Sequence, residues 1–383
     1  MRILVVAYGE GLQRILSVLS ENSGGVELAA VVTVPLAEQA EVLAAHGIPE
    51  GIVHPYYELP ECVRDLWYDY VFYGGLEAHE AIRKDLLALG VPREKLVNLL
   101  LLSSARLYNV SRLMHYHEAH AGAFSLLATG SSYAHYALDG RKMSLPLLDF
   151  TFDSQDIFYG LALARRALEA PGAALRGVLI NLAPWSFSYD MSRTQENFLC
   201  LGYALLLHET HHFPLSLPAM QQVFRADFLR SAEGLSLDGI DLYDLNGNKR
   251  GMSHAIGVRD FLAMRSRAET WTAEKYYPET EQENEALLID YIRLCQAHRA
   301  QPILYIAPVT EVYRRYYPRQ SLDRFYAVLR RVVRQTGAPL LDYFAAPGYG
   351  FADFRDADHL NLAGSAKFTP CLDRDVRQIL GGA

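Results

Sequence analysis

The sequence predicts an α/β protein built from two parallel-sheet domains. Short apolar runs rich in branched residues alternate with stretches of helical spacing, in two separate series along the chain. This alternation is typical of parallel sheets, because parallel neighbours are joined by a crossover that is usually a helix. The length of 383 residues also exceeds that of one average domain. We therefore expect one domain over residues 1–105 and a second over 106–383, with an insertion at about 186–284.

Residues 1–105 contain the first series. The expected strands are Ile3–Ala7, Ala29–Val34, Tyr70–Tyr73 and Leu96–Leu102, and the expected helices are Leu12–Leu19 and Ala78–Leu89. Gly9-Glu10-Gly11 follows the first strand, where a dinucleotide-binding turn would lie, but Arg14 replaces the third glycine of that motif. Any tight strand-to-helix turn favours glycine, so a structural or partner-binding role outweighs cofactor binding. The domain resembles a small Rossmann-like unit, and its residues identify no cofactor.

The second series predicts a five-stranded parallel sheet that is doubly wound, with helices on both faces. The expected strands are Phe124–Ala128, Leu145–Phe150, Val178–Leu182, Ile303–Ile306 and Pro339–Tyr343. The insertion is too long for a plain crossover, and we expect it to cap the active-site end. Within it we predict a helix over Asn197–His212 and a hairpin turn at Asn246-Gly247-Asn248. Ligands of such sheets bind outside the carboxyl ends of the strands.

Composition excludes several classes of partner and location. A formal charge of −8 and a pI near 5.9 provide no broad basic surface, so no nucleic acid is expected as a partner. No window approaches the roughly 20 apolar residues of a membrane span, and the first residues do not form a secretory signal. The four cysteines are scattered without Cys-x-x-Cys pairing. These features predict a cytoplasmic chain with no integral membrane segment.

Two distant segments supply the parts of a nucleophilic catalyst. Gly130-Ser131-Ser132 lies just past the first strand of the second series, and Asp356-Ala357-Asp358-His359 lies past its last strand. A serine hydroxyl is a weak nucleophile that needs a base within hydrogen-bond reach, and the base needs a carboxylate to fix its tautomer. Because both segments follow strand ends, we expect them to meet at one edge of the sheet.

These motifs resemble the two terminal blocks of the SGNH, or GDSL-like, hydrolase superfamily. Gly130-Ser131-Ser132 matches the Gly-Ser-Ser form of the nucleophile block, and Asp356 and His359 match the Asp-x-x-His block, with the frequent continuation Leu360-Asn361 and Gly364. The resemblance implies an SGNH/flavodoxin-like sheet, with Ser132 as nucleophile, His359 as base and Asp356 as the orienting carboxylate. Asp358 competes with Asp356 by spacing alone. The implied chemistry uses no cofactor and no metal.

The remaining blocks of the family are represented less directly. Ser154 lies nearest the second-block glycine whose backbone N–H helps to bind the oxyanion. Trp185 lies nearest the position of the third-block asparagine, while Asn181 falls within the strand and is expected to be buried against backbone. With these departures, the sequence resembles the branch of the superfamily linked to acylation of cell-surface polysaccharides more than it resembles secreted lipases. This resemblance implies a serine-dependent ester hydrolase or O-acyltransferase acting on a small-molecule or carbohydrate ester, with an acyl thioester as donor if it is a transferase.

Two other functions remain open at this point. The domain could be a catalytically silent SGNH-like binding or scaffold protein in polysaccharide assembly. The chain could also be a zinc hydrolase, because His208, Glu209 and His212 satisfy His-Glu-x-x-His. On one helix the two histidines would bind zinc and Glu209 would act as the base. Pro214 follows almost at once and should end that helix, and histidines near a helix end also interact favourably with its dipole.

Overall fold

The structure is a computed structural model that describes residues 2–21, 26–74, 79–92, 95–98, 105–194, 197–207, 209, 211–213, 262–269 and 275–381. Within these residues the protein is α/β, as predicted, with two all-parallel sheets of five strands each. Contacts divide the chain into two compact units. The first contains residues 1–111 and the described residues from Ser192 to 213, and the second contains Arg112–Met191 and the described residues from 262 onward.

The sheet of the first unit has the strand order β3-β2-β1-β4-β5. Its strands are β1 Arg2–Ala7, β2 Glu27–Thr33, β3 Val53–Pro55, β4 Tyr70–Gly74 and β5 Leu96–Asn98. Its helices are Glu10–Glu21, Leu36–Ala45, Leu59–Asp65 and His79–Ala88. The order 3-2-1-4-5 matches the first five strands of dinucleotide-binding sheets. After β1, Gly9 adopts φ 58°, and its N–H donates to Gln39 Oε1 over 3.1 Å.

The sheet of the second unit has the order β10-β9-β8-β6-β7, which is 2-1-3-4-5 when the strands are numbered within the unit. Its strands are β6 Leu126–Gly130, β7 Leu147–Thr151, β8 Gly177–Asn181, β9 Gln301–Ile306 and β10 Leu340–Asp342. Each predicted strand overlaps an observed one. β6 begins and ends two residues later than predicted, which places Gly130 at its carboxyl end.

Helices cover both faces of this second sheet. One face packs in a core that includes Leu126, Ala128 and Leu179 from the strands and Phe368 and Leu372 from the final helix. Alternate residues point to the other face, where Thr129 Oγ1 lies 2.8 Å from Tyr291 Oη. The helices of the unit are Ser132–Ala137, Ile157–Glu169, 262–269, Glu281–Ala297, Glu311–Tyr316, Arg319–Thr336 and Leu362–Gly381. The helix Ala105–Ala119 spans the division between the units.

The connection from β8 to β9 contains the predicted insertion. The helix expected over Asn197–His212 begins as the 3₁₀ turn Asn197–Leu199 and continues as α-helix only over Cys200–Leu207. The prediction that it reaches His212 is wrong, because Glu209 is irregular and His211 has a left-handed φ of 51° that no α-helix contains. The hairpin turn predicted at residues 246–248 lies outside the described residues. In the part of the chain that the structure describes, no helix is both long and apolar enough to span a bilayer.

Candidate active site

Ser132 is held on a tight turn between β6 and the helix Ser132–Ala137. Gly130 has φ 144°, and a Cβ at this position would overlap the Cβ of Asn181, so only glycine fits here. The N–H of Gly130 donates to Gln155 Oε1 over 2.7 Å, and its carbonyl accepts from the Phe152 N–H over 3.0 Å. The turn is therefore fixed by its neighbours. It leaves Ser132, which is half-buried, at the carboxyl end of the sheet.

The structure brings the predicted Ser132, His359 and Asp356 into one hydrogen-bonded chain. His359 Nε2 lies 2.9 Å from Ser132 Oγ, and His359 Nδ1 lies 2.9 Å from Asp356 Oδ2. Asp356 Oδ1 also accepts from the backbone N–H groups of Asp358 and His359, over 3.1 and 2.9 Å. A base within reach of a hydroxyl, oriented by a fixed carboxylate, is the arrangement that activates a serine.

The loop that carries His359 is folded by Asn361 and Gly364. An isolated antiparallel bridge joins Phe354 to Leu360, and the amide group of Asn361 donates to the Ala352 and Phe354 carbonyls over 2.8 and 3.1 Å. Gly364 lets the final helix approach the loop, because a Cβ there would overlap the Asp353 carbonyl oxygen. The motif continuation that follows His359 is therefore structural, and it fixes the direction in which the imidazole points.

The charges around His359 favour its role as a base. Burial of this side chain, which is 6% exposed, opposes charging of the imidazole, but the carboxylates of Asp356 and Asp358 outweigh burial and raise the pKa of His359 above its usual value. Burial likewise opposes ionisation of Asp356, yet its interactions with His359 and Arg267 hold the pKa of Asp356 well below its usual range. Asp356 therefore stays ionised beside a histidine that readily accepts a proton.

Asp358 and Arg267 form a second charged pair at the site. Asp358 is 1% exposed, accepts a hydrogen bond from Tyr133 Oη over 2.5 Å and pairs with Arg267 Nε at 2.8 Å. Its Oδ1 lies 3.5 Å from His359 Nδ1, farther than either oxygen of Asp356. The geometry thus favours Asp356 as the orienting carboxylate. Arg267 comes from helix 262–269 of the insertion, and no motif in the sequence singled it out.

Ser154, the predicted oxyanion donor, has the backbone conformation of a glycine. It is one of three described non-glycine residues with positive φ, at 60°, and it is 5% exposed. Such a conformation costs of order 1–3 kcal/mol in a non-glycine residue and persists only where the surroundings fix it. Next to it, Gln155 accepts from the Gly130 N–H and donates to the Phe150 carbonyl. The Gln155 side chain therefore connects the Ser154 loop to the turn that carries Ser132.

Neither residue near the expected third oxyanion position offers an exposed donor. Asn181 ends β8, and its Nδ2 donates to the Tyr305 carbonyl over 3.4 Å, in agreement with the predicted burial against backbone. Trp185 is 2% exposed and packs edge-on against Tyr133, with the Lys275 ammonium 4.6 Å from its ring centroid. Asn181 and Trp185 both line a small cavity behind Ser131 with room for about one water molecule. A third donor to an oxyanion is thus not formed by these two side chains.

The predicted zinc site depends on a helix that the described residues of its motif do not form. Ligand atoms of Asp356, Asp358 and His359 also lie within 4.8 Å of one another, but Arg267 pairs with Asp358 at 2.8 Å and already places a positive charge beside them. The zinc motif lacks the expected helix from Glu209 onward, and His208 lies outside the described residues. The described part of the motif, Glu209 and 211–213, is therefore not helical, whereas a His-Glu-x-x-His zinc site requires a helix there.

Comparison with known proteins found no matching family model and no curated protein of significant sequence similarity. Function is therefore inferred from the chemistry that this site can perform.

Proposed function

We propose that the protein is a serine-dependent ester hydrolase or O-acyltransferase that forms an acyl-enzyme on Ser132. The observation that carries this proposal is the continuous chain from Ser132 Oγ to His359 to Asp356, in which both steps span 2.9 Å. The half-buried Ser132 lies beyond the carboxyl end of β6, where substrates of parallel sheets bind. The raised pKa of His359 and the ionised Asp356 suit a base that gains and returns a proton.

In the proposed first step, Ser132 Oγ attacks the carbonyl carbon of an ester while His359 Nε2 takes its proton. The carbonyl oxygen becomes an oxyanion, for which the backbone N–H groups of Ser132 and of the loop at Ser154 are the proposed donors. Collapse of this intermediate breaks the bond to the leaving alkoxide, which receives the proton from His359. The acyl group remains on Ser132.

In the second step, an acceptor hydroxyl attacks the acyl-enzyme. His359 takes the proton of the acceptor, and the bond to Ser132 breaks as Oγ regains a proton. Water as acceptor gives hydrolysis, and a sugar hydroxyl gives transfer. The resemblance to the SGNH superfamily, supported by the strand order 2-1-3-4-5 and by the position of both motifs at strand ends, favours a carbohydrate ester or a surface-polysaccharide precursor as substrate. In the transferase form, we propose an acyl thioester as donor, and the first step then breaks its C–S bond and releases a thiolate, which receives the proton from His359.

One observation favours a second function, a catalytically silent binding module. Asn181 and Trp185 are buried and present no donor where a third oxyanion contact would be expected. Loss of one such donor costs on the order of 10²–10³ in kcat where it has been measured. This cost is compatible with a slow enzyme, but it is also compatible with a site that has lost turnover and kept binding.

Hydrolysis of p-nitrophenyl acetate by matched variants distinguishes these functions. We expect Ser132→Ala and His359→Ala to abolish turnover, because each removes one side chain from the hydrogen-bonded Ser132–His359–Asp356 arrangement. Ser131→Ala is the control, because it deletes the adjacent hydroxyl group. The Ser131 side chain makes no capping hydrogen bond to the helix Ser132–Ala137. Release of p-nitrophenol that rises on adding a sugar acceptor identifies a transferase. If folded wild-type protein and Ser132→Ala release p-nitrophenol equally slowly, the enzymatic proposal is wrong.

A further inference from the structure

Arg267 approaches the imidazole of His359 as closely as Asp358 does. Arg267 Nη2 and Asp358 Oδ1 each lie 3.5 Å from His359 Nδ1, and Arg267 Nε pairs with Asp358 Oδ1 at 2.8 Å. The ring nitrogen that faces Asp356 therefore also faces one further cation and one further anion. These two opposite charges are in contact with each other.

Asp358 is not a solvated surface charge. Its side chain is 0% exposed, and its Oδ2 accepts from Tyr133 Oη, which in turn lies 2.9 Å from Tyr313 Oη. A buried carboxylate keeps its charge only when it is paired and hydrogen-bonded. Arg267 is the cation that pairs with it. Burial lowers the pKa of Arg267, but the carboxylates of Asp358 and Asp356 outweigh burial and raise this pKa far above any working pH. Arg267 therefore stays positively charged beside the buried Asp358 carboxyl group.

Two tyrosine rings and a second arginine also lie near His359. The rings of Tyr133 and Tyr136 lie edge-on, with centroids 5.3 and 4.9 Å from the imidazole. Eight charged or titratable groups among the described residues surround the ring. The loop 355–359 contributes Arg355, Asp356 and Asp358, and helix 262–269 contributes Arg267. Helix Ser132–Ala137 contributes Tyr133 and Tyr136, helix Glu311–Tyr316 contributes Tyr313, and the loop after β7 contributes Asp153. Arg355 stacks on Tyr136 and lies 3.8 Å from Asp356.

We propose that Arg267 and Asp358 act together as positioning residues that set how strongly His359 holds a proton. With both present, their charges offset at the imidazole and Asp356 alone orients it. Without Arg267, the half-buried Asp356 and the buried Asp358 both face Nδ1 and hold the imidazolium too firmly for it to act as a base near neutral pH. Without Asp358, the anion that offsets the guanidinium at Nδ1 is missing, and the guanidinium opposes the imidazolium that must form during attack. The insertion is thus part of the working site, since it supplies Arg267.

The effect on the imidazole is measurable without any substrate. We would follow the ring ¹⁵N resonances of His359 across pH by NMR, assigning them among the 13 histidines by their loss in His359→Gln. We expect Arg267→Gln to move the titration midpoint of His359 up, and Asp358→Asn to move it down, each by roughly one pH unit or more. The double variant, which removes both charges, should return the midpoint to near the wild-type position.

The catalytic part of the inference rests on the proposed function, whereas the titration does not. The acid limb of kcat/KM should move with the NMR midpoint in each variant. In every variant, kcat/KM should fall about tenfold for each pH unit below that midpoint. If Arg267→Gln does not fold, Asp358→Asn compared with the double variant tests the same offset. Equal midpoints in all variants, or shifts of the same sign in both single variants, overturn the inference. If the NMR midpoints shift as expected but the protein hydrolyses no ester, only the proposed function is contradicted.

Discussion

Replacement of Asp356 by asparagine should nearly abolish turnover, whereas the same change at Asp358 should not. Asp356 contacts His359 Nδ1 at 2.9 Å, while Asp358 reaches it only at 3.5 Å, beyond a good hydrogen bond. An asparagine at 356 can turn its NH₂ toward Nδ1, which forces the ring proton onto Nε2, where it faces Ser132 Oγ and prevents the histidine from acting as a base. Both substitutions remove one charge from a side chain of the same size, so each controls for the other.

The expected loss for Asp356→Asn is about 10³–10⁴ in kcat. The corresponding change in a serine-protease triad costs about 10⁴, equivalent to about 5.5 kcal/mol of transition-state stabilisation. The lower end allows for Asp358, which could accept a weak bond from Nδ1 once Asp356 is gone. Asp358→Asn keeps the Asp356 contact and should stay within about tenfold at its own optimum pH.

The assay is the single-turnover acylation rate with p-nitrophenyl acetate, measured over pH and accompanied by circular dichroism to confirm folding. An equal or greater loss for Asp358→Asn would refute the assignment of Asp356. It would mean that the carboxylate at 3.5 Å, held by Tyr133 and Arg267, orients the imidazole in solution.

Three further predictions concern stability and pH. Ser154→Gly should be more stable to urea than Ser154→Ala by about 1 kcal/mol, because φ is 60° there, while kcat is unchanged since the N–H remains; equal stabilities would contradict the backbone strain. Gly130→Ala should lower the free energy of unfolding by about 3 kcal/mol through overlap with Asn181, whereas the control Gly140→Ala, whose nearest neighbour is at 3.8 Å, should cost less than about 1 kcal/mol. Hydrolysis should fall as pH drops through the raised pKa of His359, so the acid limb of kcat/KM should lie above about pH 6.5, and a limb below that value would contradict the charge environment.

The same pKa shifts fix the direction of the stability changes with pH. The pKa of His359 is higher in the folded protein than in the unfolded chain, where it is about 6.5. Protonation of His359 therefore stabilises the fold fully below about pH 6.5, and this stability is lost as pH rises through the pKa of the folded state. The depressed pKa of Asp356 contributes stability that is present above about pH 4 and is lost as pH falls. Urea midpoints measured from pH 4 to 9 should therefore depend on pH less steeply in His359→Gln at the alkaline end.

The strands and the hydrogen-bonded arrangement of Ser132, His359 and Asp356 were predictable because their signals are local. Central parallel strands such as β1 and β6 are buried on both faces and read as continuous apolar runs. Ser132 and His359 sit in short motifs whose positions after strand ends place them at one sheet edge. In contrast, β3 escaped prediction because Val53–Pro55 is only three residues long and ends in proline.

The residues that complete the site depend on contacts that no local pattern encodes. Arg267 is one arginine in a short helical stretch, and its contact with His359 joins residues 92 positions apart. The positive φ of Ser154 also cannot be read from its identity, since serine rarely adopts it. The end of the helix at Leu207 was missed because the left-handed turn at His211 lies within a sequence that is otherwise compatible with helix.

The most direct test of the serine mechanism is intact-mass analysis of the folded protein after treatment with a fluorophosphonate. Attack by an activated hydroxyl should add one phosphonyl group per chain, and peptide mapping should place it on Ser132. The adduct should be lost in Ser132→Ala, retained in Ser131→Ala and formed far more slowly in His359→Ala. A folded wild-type protein that gains no mass, or an adduct that persists in Ser132→Ala, would contradict the proposed nucleophile.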